Sequence, residues 1–257
     1  MQISDRQSEI LHRARAQGRV EVEALAAEFA VTTQTIRRDL NELSHSGLLA
    51  RVHGGAVVAA RIANVAYAER RIVAAPEKHA IGVCAARMIP DGCSVILNIG
   101  TTTEEVARAL VHRRDLVVIT NNLNVVGILS GTPSKEIIIA GGIVRQTDGA
   151  IVGDEAVAFF RRFKADYAII GASALDEDGA IMDYDMREVA VARTIVENAR
   201  RTILVCDRLK FERSAPVRIC HVSDIHAFVT DALPPRPFAE ACAHAGVSIE
   251  IAEGADA

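Results

Sequence analysis

The feature that most constrains the fold is a series of short apolar runs in the second part of the chain. Five runs rich in Ile, Val and Leu predict strands, and helical patterns fall between most of them. The predicted strands are residues 94–98, 116–119, 136–140, 165–170 and 202–206. Because the runs are continuously apolar rather than alternating, both faces of each strand must be covered, as in a parallel sheet between helices. The pattern predicts an α/β domain with an open, doubly wound sheet, whose ligands bind beyond the carboxyl ends of the strands.

A different pattern precedes residue 58. Helical periodicity covers about 6–17 and 21–29, and a third helix follows Thr32, with Asp5 and Thr32 as the expected N-caps. A Gly-Gly hairpin signal comes next, so residues 1–57 are predicted to form a winged helix-turn-helix domain. The mixed, basic segment 58–75 is the predicted interdomain linker, and residues 76–251 are predicted to form the α/β domain.

The formal net charge of −4 argues against a generally basic surface, so any DNA contact needs a local basic patch. The third helix and the hairpin offer one, because polar and Arg side chains there can reach base edges and phosphates. The candidates for DNA contact are Thr33, Gln34, Thr35, Arg37, Arg38, Arg51 and His53. Residues 1–57 contain seven Arg and seven acidic residues, so a solvated helical face with incidental Arg pairs is the alternative.

Small and hydrogen-bonding residues follow the predicted strands. Gly100 and three threonines stand between a strand and a helix, where backbone N–H groups can converge on an anion, most plausibly a phosphate. The alternative is that a threonine only caps the helix. Asp183 and Glu188 are expected to accept hydrogen bonds from sugar hydroxyls or to cap a helix. The candidates for effector binding are Gly100, Thr101, Thr102, Thr103, Asn121, Gly141, Gly142, Asp183, Glu188, Asp207 and Lys210.

The T-x-x-T-I-R-R-D-L sequence at residues 32–40 resembles the DeoR family of bacterial transcriptional regulators. The resemblance implies an operator-binding winged helix, usually in a repressor, with Arg37 and Arg38 in the DNA-contacting helix. Residues 76–251 resemble the sensor domain of that family, which is similar to the sugar-phosphate isomerase fold. The motifs that carry this second resemblance include Gly100–Thr103, Thr120–Asn122, Ala140–Gly142 and Asp207-x-x-Lys210.

The same resemblance favours a receptor over an enzyme. Sugar-phosphate isomerases carry catalytic acids after the strand that corresponds to 166–170, whereas residues 170–174 contain no acid. Proton abstraction needs such a carboxylate, so phosphate binding without turnover is expected. The resemblance implies a small phosphorylated metabolite as the effector, with glycerol 3-phosphate ranked first. The alternatives are another sugar phosphate, an activator rather than a repressor, or an isomerase or hydrolase.

The expected partners are double-stranded operator DNA, the effector and further copies of the chain. A dimer or tetramer is predicted because operator half-sites match the symmetry of paired DNA-binding domains. No cofactor, metal or membrane contact is expected. The polar start of the sequence and five scattered cysteines predict a reduced, cytoplasmic protein.

Overall fold

The chain forms two compact units, residues 1–66 and 67–257. The computed structural model describes residues 4–17, 19–45, 49–52, 54–58, 67–133 and 135–253. His53, a candidate for DNA contact, lies outside these ranges, as do residues 59–66 of the predicted linker 58–75.

The first unit contains three helices and three short strands, as described: α1 (Asp5–Gln17), β1 (Arg19–Glu21), α2 (Val22–Glu28), α3 (Thr33–His45), β2 (Leu49–Val52) and β3 (Gly55–Val58). The expected cap Asp5 is wrong, because Ser4 caps α1 in a reciprocal capping box. The Gln7 amide donates to Ser4 Oγ at 3.2 Å, and the Ser4 amide donates to Gln7 Oε1 at 3.1 Å.

The helix-turn-helix and its wing are built on one apolar core. Ile10 of α1 and Ile36 and Leu40 of α3 have no exposed surface. The wing is an antiparallel sheet in the order β1-β3-β2, in which Val20 pairs with Ala56. The prediction of a winged helix-turn-helix is confirmed. Strand β1 was not predicted, since three residues are too few to show a period.

The second unit begins with two helices, and the first of them lies in the segment predicted as linker. Its described elements, in chain order, are α4 (Tyr67–Ile72), α5 (Ala75–Arg87), β4 (Ser94–Leu97), α6 (Thr101–Ala109), β5 (Leu116–Thr120), α7 (Leu123–Leu129), β6 (Lys135–Ile139), β7 (Val144–Arg145), β8 (Ala150–Ile151), α8 (Asp154–Phe160), β9 (Ala165–Ile170), β10 (Ala174–Leu175), β11 (Ala180–Asp183), α9 (Met186–Glu197), β12 (Ala199–Val205), β13 (Val217–His221), β14 (Ala227–Thr230), α10 (Arg236–Ala245) and β15 (Ser248–Ile251).

Seven of the described strands form one sheet in the order β15-β14-β12-β9-β4-β5-β6, and each neighbouring pair is parallel. Successive residues of a strand face opposite sides of it. Ile169 packs in the core that α5, α6 and α7 cover, whereas Ile170 packs in the core that α8, α9 and α10 cover. The predicted doubly wound α/β sheet is therefore confirmed.

The order of the strands reverses between β4 and β9. From β4 the chain proceeds to β5 and β6 on one side, and from β9 to β12, β14 and β15 on the other. Such a switch point opens a crevice at the carboxyl ends of the two strands. A small antiparallel sheet, β10-β11-β13, lies outside the main sheet and holds Asp183 at the end of β11. This small sheet was not predicted, because its strands β10 and β11 are only two and four residues long.

Candidate functional site

The exposed face of α3 carries the predicted polar patch. Ile36, Leu40 and Leu43 are buried, and the helical period therefore turns Thr33, Gln34, Arg37, Arg38 and Asn41 toward the surface, where all five are exposed. Thr32 begins the helix as expected, since the Thr35 amide donates to its hydroxyl oxygen at 3.2 Å. Thr35 is only partly exposed, and its own hydroxyl lies 2.9 Å from that of Thr32.

Two acidic residues of α3 accept hydrogen bonds from side chains of α1, and one of them also accepts a hydrogen bond from an Arg of α3. Asp39 is buried, and Arg6 donates to its two carboxylate oxygens at 2.6 and 3.3 Å. Glu42 accepts hydrogen bonds from Gln7 at 2.6 Å and from Arg38 at 3.1 Å. Asp39 is thus paired with Arg6 outside the exposed face of α3, whereas Glu42 partly offsets the charge of Arg38 on that face.

The wing contributes less to the described patch. Arg51 lies in β2, where its backbone is opposite Ala56, and nothing is described of its side chain. Contact of Arg51 and His53 with DNA stays a prediction.

The second candidate site is a cleft at the switch point of the sheet. Loops that follow β4 and β9 meet there with α4, β11, the start of α9 and the turn after β12. The polar or small residues that line the cleft are Arg70, Asn98, Gly100, Thr101, Thr102, Thr103, Gly171, Ala172, Ser173, Asp183, Glu188 and Lys210.

One wall of the cleft is the beginning of α6. The first N–H groups of an α-helix lack partners within the helix and carry its positive end. Gly100 precedes them with φ 141° and ψ 149°, a conformation that essentially only glycine adopts. The Thr103 hydroxyl donates to Asn98 O at 2.9 Å and Gly100 O at 2.7 Å, which fixes this turn. The N–H groups of this turn can bind an anion, and Thr101 and Thr102 can add hydroxyl donors.

Two carboxyl groups also line the cleft. Asp183 accepts hydrogen bonds from the Ser173 hydroxyl at 3.1 Å and the Tyr184 amide at 2.6 Å, and burial raises its pKa. Glu188 accepts from Arg145 at 2.8 Å. Burial, followed by the nearby charge of Asp183, raises the pKa of Glu188 to about 7. Buried carboxyl groups of this kind can accept hydrogen bonds from ligand hydroxyls and, when protonated, can donate them.

Two cations complete the cleft. Lys210 is buried, and loss of solvation lowers its pKa, although the negative charge of Asp207 opposes that shift. Arg70 of α4 lies 3.5 Å from Asp148, and its Nε is buried without a partner among the described residues. Asn98 Oδ1 is likewise buried without a partner there. Both residues line the cleft, so this donor and this acceptor are available to a polar ligand there.

The candidate residues for effector binding separate into two groups. Those that line the cleft are Gly100, Thr101, Thr102, Thr103, Asp183, Glu188 and Lys210. Four others do not line it: Asn121, Gly141, Gly142 and Asp207.

These four residues support neighbouring loops. Asn121 is fully buried and donates to Ile151 O at 2.9 Å, and a Cβ on Gly142 would lie 3.1 Å from the Ile151 side chain. Gly141 is exposed next to it. Asp207 accepts from the Leu209 amide at 3.2 Å and so caps the short 3-10 helix that carries Lys210. All four follow the ends of strands, as the sequence predicted, but they do not line the cleft, and their role in effector binding stays a prediction.

Sequence reasoning missed Arg70, Asn98 and Arg145. Arg70 lies in the basic segment that is predicted to be the linker, and the basic character of that segment is the only sign in the sequence that Arg70 could bind an anion. Asn98 was included in a strand. Arg145 is joined to Asp148 and Asp185, as well as to Glu188, by contacts of 2.5 to 3.2 Å, and nothing in the sequence pattern indicates that cluster.

Within the described ranges, no group of three or more His, Cys, Asp or Glu residues could hold a metal ion. No helix in the described parts of the chain is long and apolar enough to span a membrane.

Comparison with known proteins agrees with both units. The DeoR-like helix-turn-helix domain matches residues 6–61, and the DeoR C terminal sensor domain matches residues 73–232. The Glycerol-3-phosphate regulon repressor of Escherichia coli (strain K12) is 40% identical over 91% of this chain and 93% of that protein. The HTH-type transcriptional repressor CsqR of the same organism is also 40% identical, over 90% of this chain and 88% of that protein.

These matches define the class of protein as a DNA-binding regulator with a sensor domain. The chain belongs to the DeoR family, a family of transcriptional regulators rather than enzymes. A solved structure of Ribose 5-phosphate isomerase from Plasmodium falciparum aligns with 52% of each chain at a TM-score of 0.39 and 11% identity. That partial likeness supports no statement about function.

Proposed function

We propose that this regulator is a repressor, which releases its operator when a small phosphorylated metabolite binds the cleft between β4 and β9. The observation that carries the proposal is that the α6 N-terminus, two cations and two carboxyl groups line one cleft; the charged residues are Arg70, Lys210, Asp183 and Glu188. The helix terminus and the cations suit a phosphate, and the carboxyl groups suit the hydroxyls of a polyol.

Glycerol 3-phosphate is the effector ranked first. It combines a phosphate with two hydroxyls on a short chain, which suits a cleft lined by both hydrogen-bond donors and acceptors. One relative at 40% identity is named for the glycerol-3-phosphate regulon, but another with a different name is equally similar. A repressor that answers another sugar phosphate, such as fructose 1-phosphate or ribose 5-phosphate, is therefore the second candidate, and an activator role the third.

The proposed mechanism is a shift between two arrangements of the protein. Effector binding favours an arrangement in which the paired DNA-binding domains no longer match the spacing of the operator half-sites. A difference of a few kcal/mol in effector affinity between the two arrangements suffices for release. The proposal requires at least a dimer, with Arg37 and Arg38 of α3 among the DNA contacts, and it places the protein in the cytoplasm.

Isothermal titration calorimetry tests the cleft directly. The purified protein is titrated with glycerol 3-phosphate, fructose 1-phosphate, ribose 5-phosphate, inorganic phosphate and glycerol. We expect one phosphorylated polyol to bind more tightly than both phosphate and glycerol, and the same compound to release the DNA in a mobility-shift assay. Thr101→Ala should weaken that binding, and Thr132→Ala, a change at a partly exposed residue that does not line the cleft, is its matched control. If no phosphorylated compound produces heat, the proposed effector class is wrong.

A further inference from the structure

Glu42 of α3 joins two side chains that lie on different helices. Its Oε2 accepts a hydrogen bond from Gln7 Nε2 at 2.6 Å, and its Oε1 accepts one from Arg38 Nε at 3.1 Å. Gln7 belongs to α1, whereas Arg38 lies one turn before Glu42 on α3. The Arg38 side chain is 81% exposed and that of Glu42 is 38% exposed. An acidic residue thus lies on the helix that is expected to face DNA, in contact with an Arg that is expected to bind it.

Gln7 is itself held in place. It is 5% exposed, its Oε1 accepts from the Ser4 amide at 3.1 Å, and its Nε2 also lies 3.5 Å from Asp39 Oδ1. Because Gln7 is fixed by the capping box of α1, the carboxylate of Glu42 is held from outside its own helix. An ordinary exposed i,i+4 ion pair has no such anchor and contributes little.

This anchor restricts the orientation of the Arg38 guanidinium. The bond at Nε uses one donor and leaves the Nη1 and Nη2 donors for another acceptor. A planar guanidinium binds phosphate or a guanine edge through two parallel hydrogen bonds, and that geometry depends on the plane being oriented correctly. A side chain that is already oriented loses less conformational entropy when it binds.

We propose that Glu42 is a positioning residue for DNA recognition, which is held by Gln7 and in turn presents Arg38 to the operator. The inference rests on the proposed role of α3 as the DNA-reading helix. The proposal predicts a change in operator affinity opposite to the one expected from charge repulsion alone. Removal of a negative charge near DNA should tighten binding if repulsion is all that matters, whereas loss of positioning should weaken binding to the operator.

The test uses the full chain and a duplex that the wild-type protein selects from a random-sequence pool. Fluorescence anisotropy gives the Kd for that duplex and for a scrambled duplex of equal length at one salt concentration. We expect Glu42→Ala to weaken binding to the selected duplex about two- to tenfold. Binding to the scrambled duplex should be unchanged or tighter. Glu42→Gln removes the same charge and keeps one of the two acceptor oxygens, so it can bond to Arg38 or to Gln7 but not to both, and its loss should lie between those of wild type and Glu42→Ala.

Two comparisons separate positioning from a structural or purely electrostatic role. In an Arg38→Ala background, Glu42→Ala should cause no further loss, because its effect acts through Arg38. Glu23→Ala, which removes an exposed acid of α2, is the control for charge. Tighter binding of Glu42→Ala to the selected duplex, or an equal loss in the Arg38→Ala background, would overturn the inference. If the wild-type protein enriches no sequence, the proposed function fails as well, and that result is distinct from either outcome for Glu42.

Discussion

The raised pKa of Glu188 predicts that this side chain destabilises the second unit as pH rises. The pKa of Glu188 is about 7 in the folded protein, against 4.5 for an unperturbed glutamate. Between these two values the folded state binds more protons than the unfolded state. The contribution of protonated Glu188 to the free energy of unfolding is therefore fully present below pH 4.5, and it is lost as the pH rises through about 7. Glu188→Gln removes the titration and keeps a side chain that can still contact Arg145.

The structure gives the size of the effect. A change from pH 5.5 to 7.5 should cost the wild-type protein about 2 kcal/mol through Glu188, and should cost Glu188→Gln nothing through that position. For a unit of this size, each kcal/mol changes Tm by about 2–4 °C. We therefore expect the wild-type Tm to fall by about 4–8 °C more than that of the variant over this interval.

Tyrosine signals make the measurement specific to the second unit. The chain has no Trp, and its three Tyr residues, at 67, 167 and 184, all belong to residues 67–257. Thermal unfolding is followed by near-ultraviolet circular dichroism at pH 5.5, 6.5 and 7.5. Glu177→Gln, which changes an exposed acid in a turn, is the control. Parallel Tm curves for wild type and Glu188→Gln across this range would refute the reasoning.

Three further predictions concern the two sites. Arg37→Ala should weaken operator binding. If a phosphate contact is lost, the negative slope of log K against log salt concentration should become shallower by ~0.9. Unchanged affinity and slope in anisotropy titrations would exclude that contact. Lys210→Ala should give a repressor that binds DNA but is not released by effector, and normal release in a mobility-shift assay would show that Lys210 is not needed. Gly100→Ala should destabilise the second unit by about 1–3 kcal/mol, measured by tyrosine-detected thermal unfolding, because φ there is 141°; an unchanged Tm would contradict the strain.

Several features of the fold could be predicted from the sequence because they depend on local periodicity. The continuously apolar run 165–170 indicated a strand buried on both faces, and the structure has β9 at those residues. The spacing of Ile36, Leu40 and Leu43 gave the buried face of α3 and, with it, the exposed face that carries Arg37. Short elements such as β1 and β10 could not be predicted, since two or three residues show no period.

The sequence by itself determined five of the seven strands of the main sheet, which face of α3 is exposed, and that small polar residues follow the strands, because each of these depends on neighbouring residues. Strands β14 and β15 were not predicted. Only the tertiary structure decided which strand ends share a cleft. Thr101 and Asp183 meet beside β4 and β9, whereas Gly141 follows β6 at the edge of the sheet. Burial of Glu188 and the bond between Arg6 and Asp39, 33 residues apart, likewise depend on the whole fold. The reason is physical. Periodicity depends on residues a few positions apart, whereas the distance between strand ends depends on the order of the strands in the sheet.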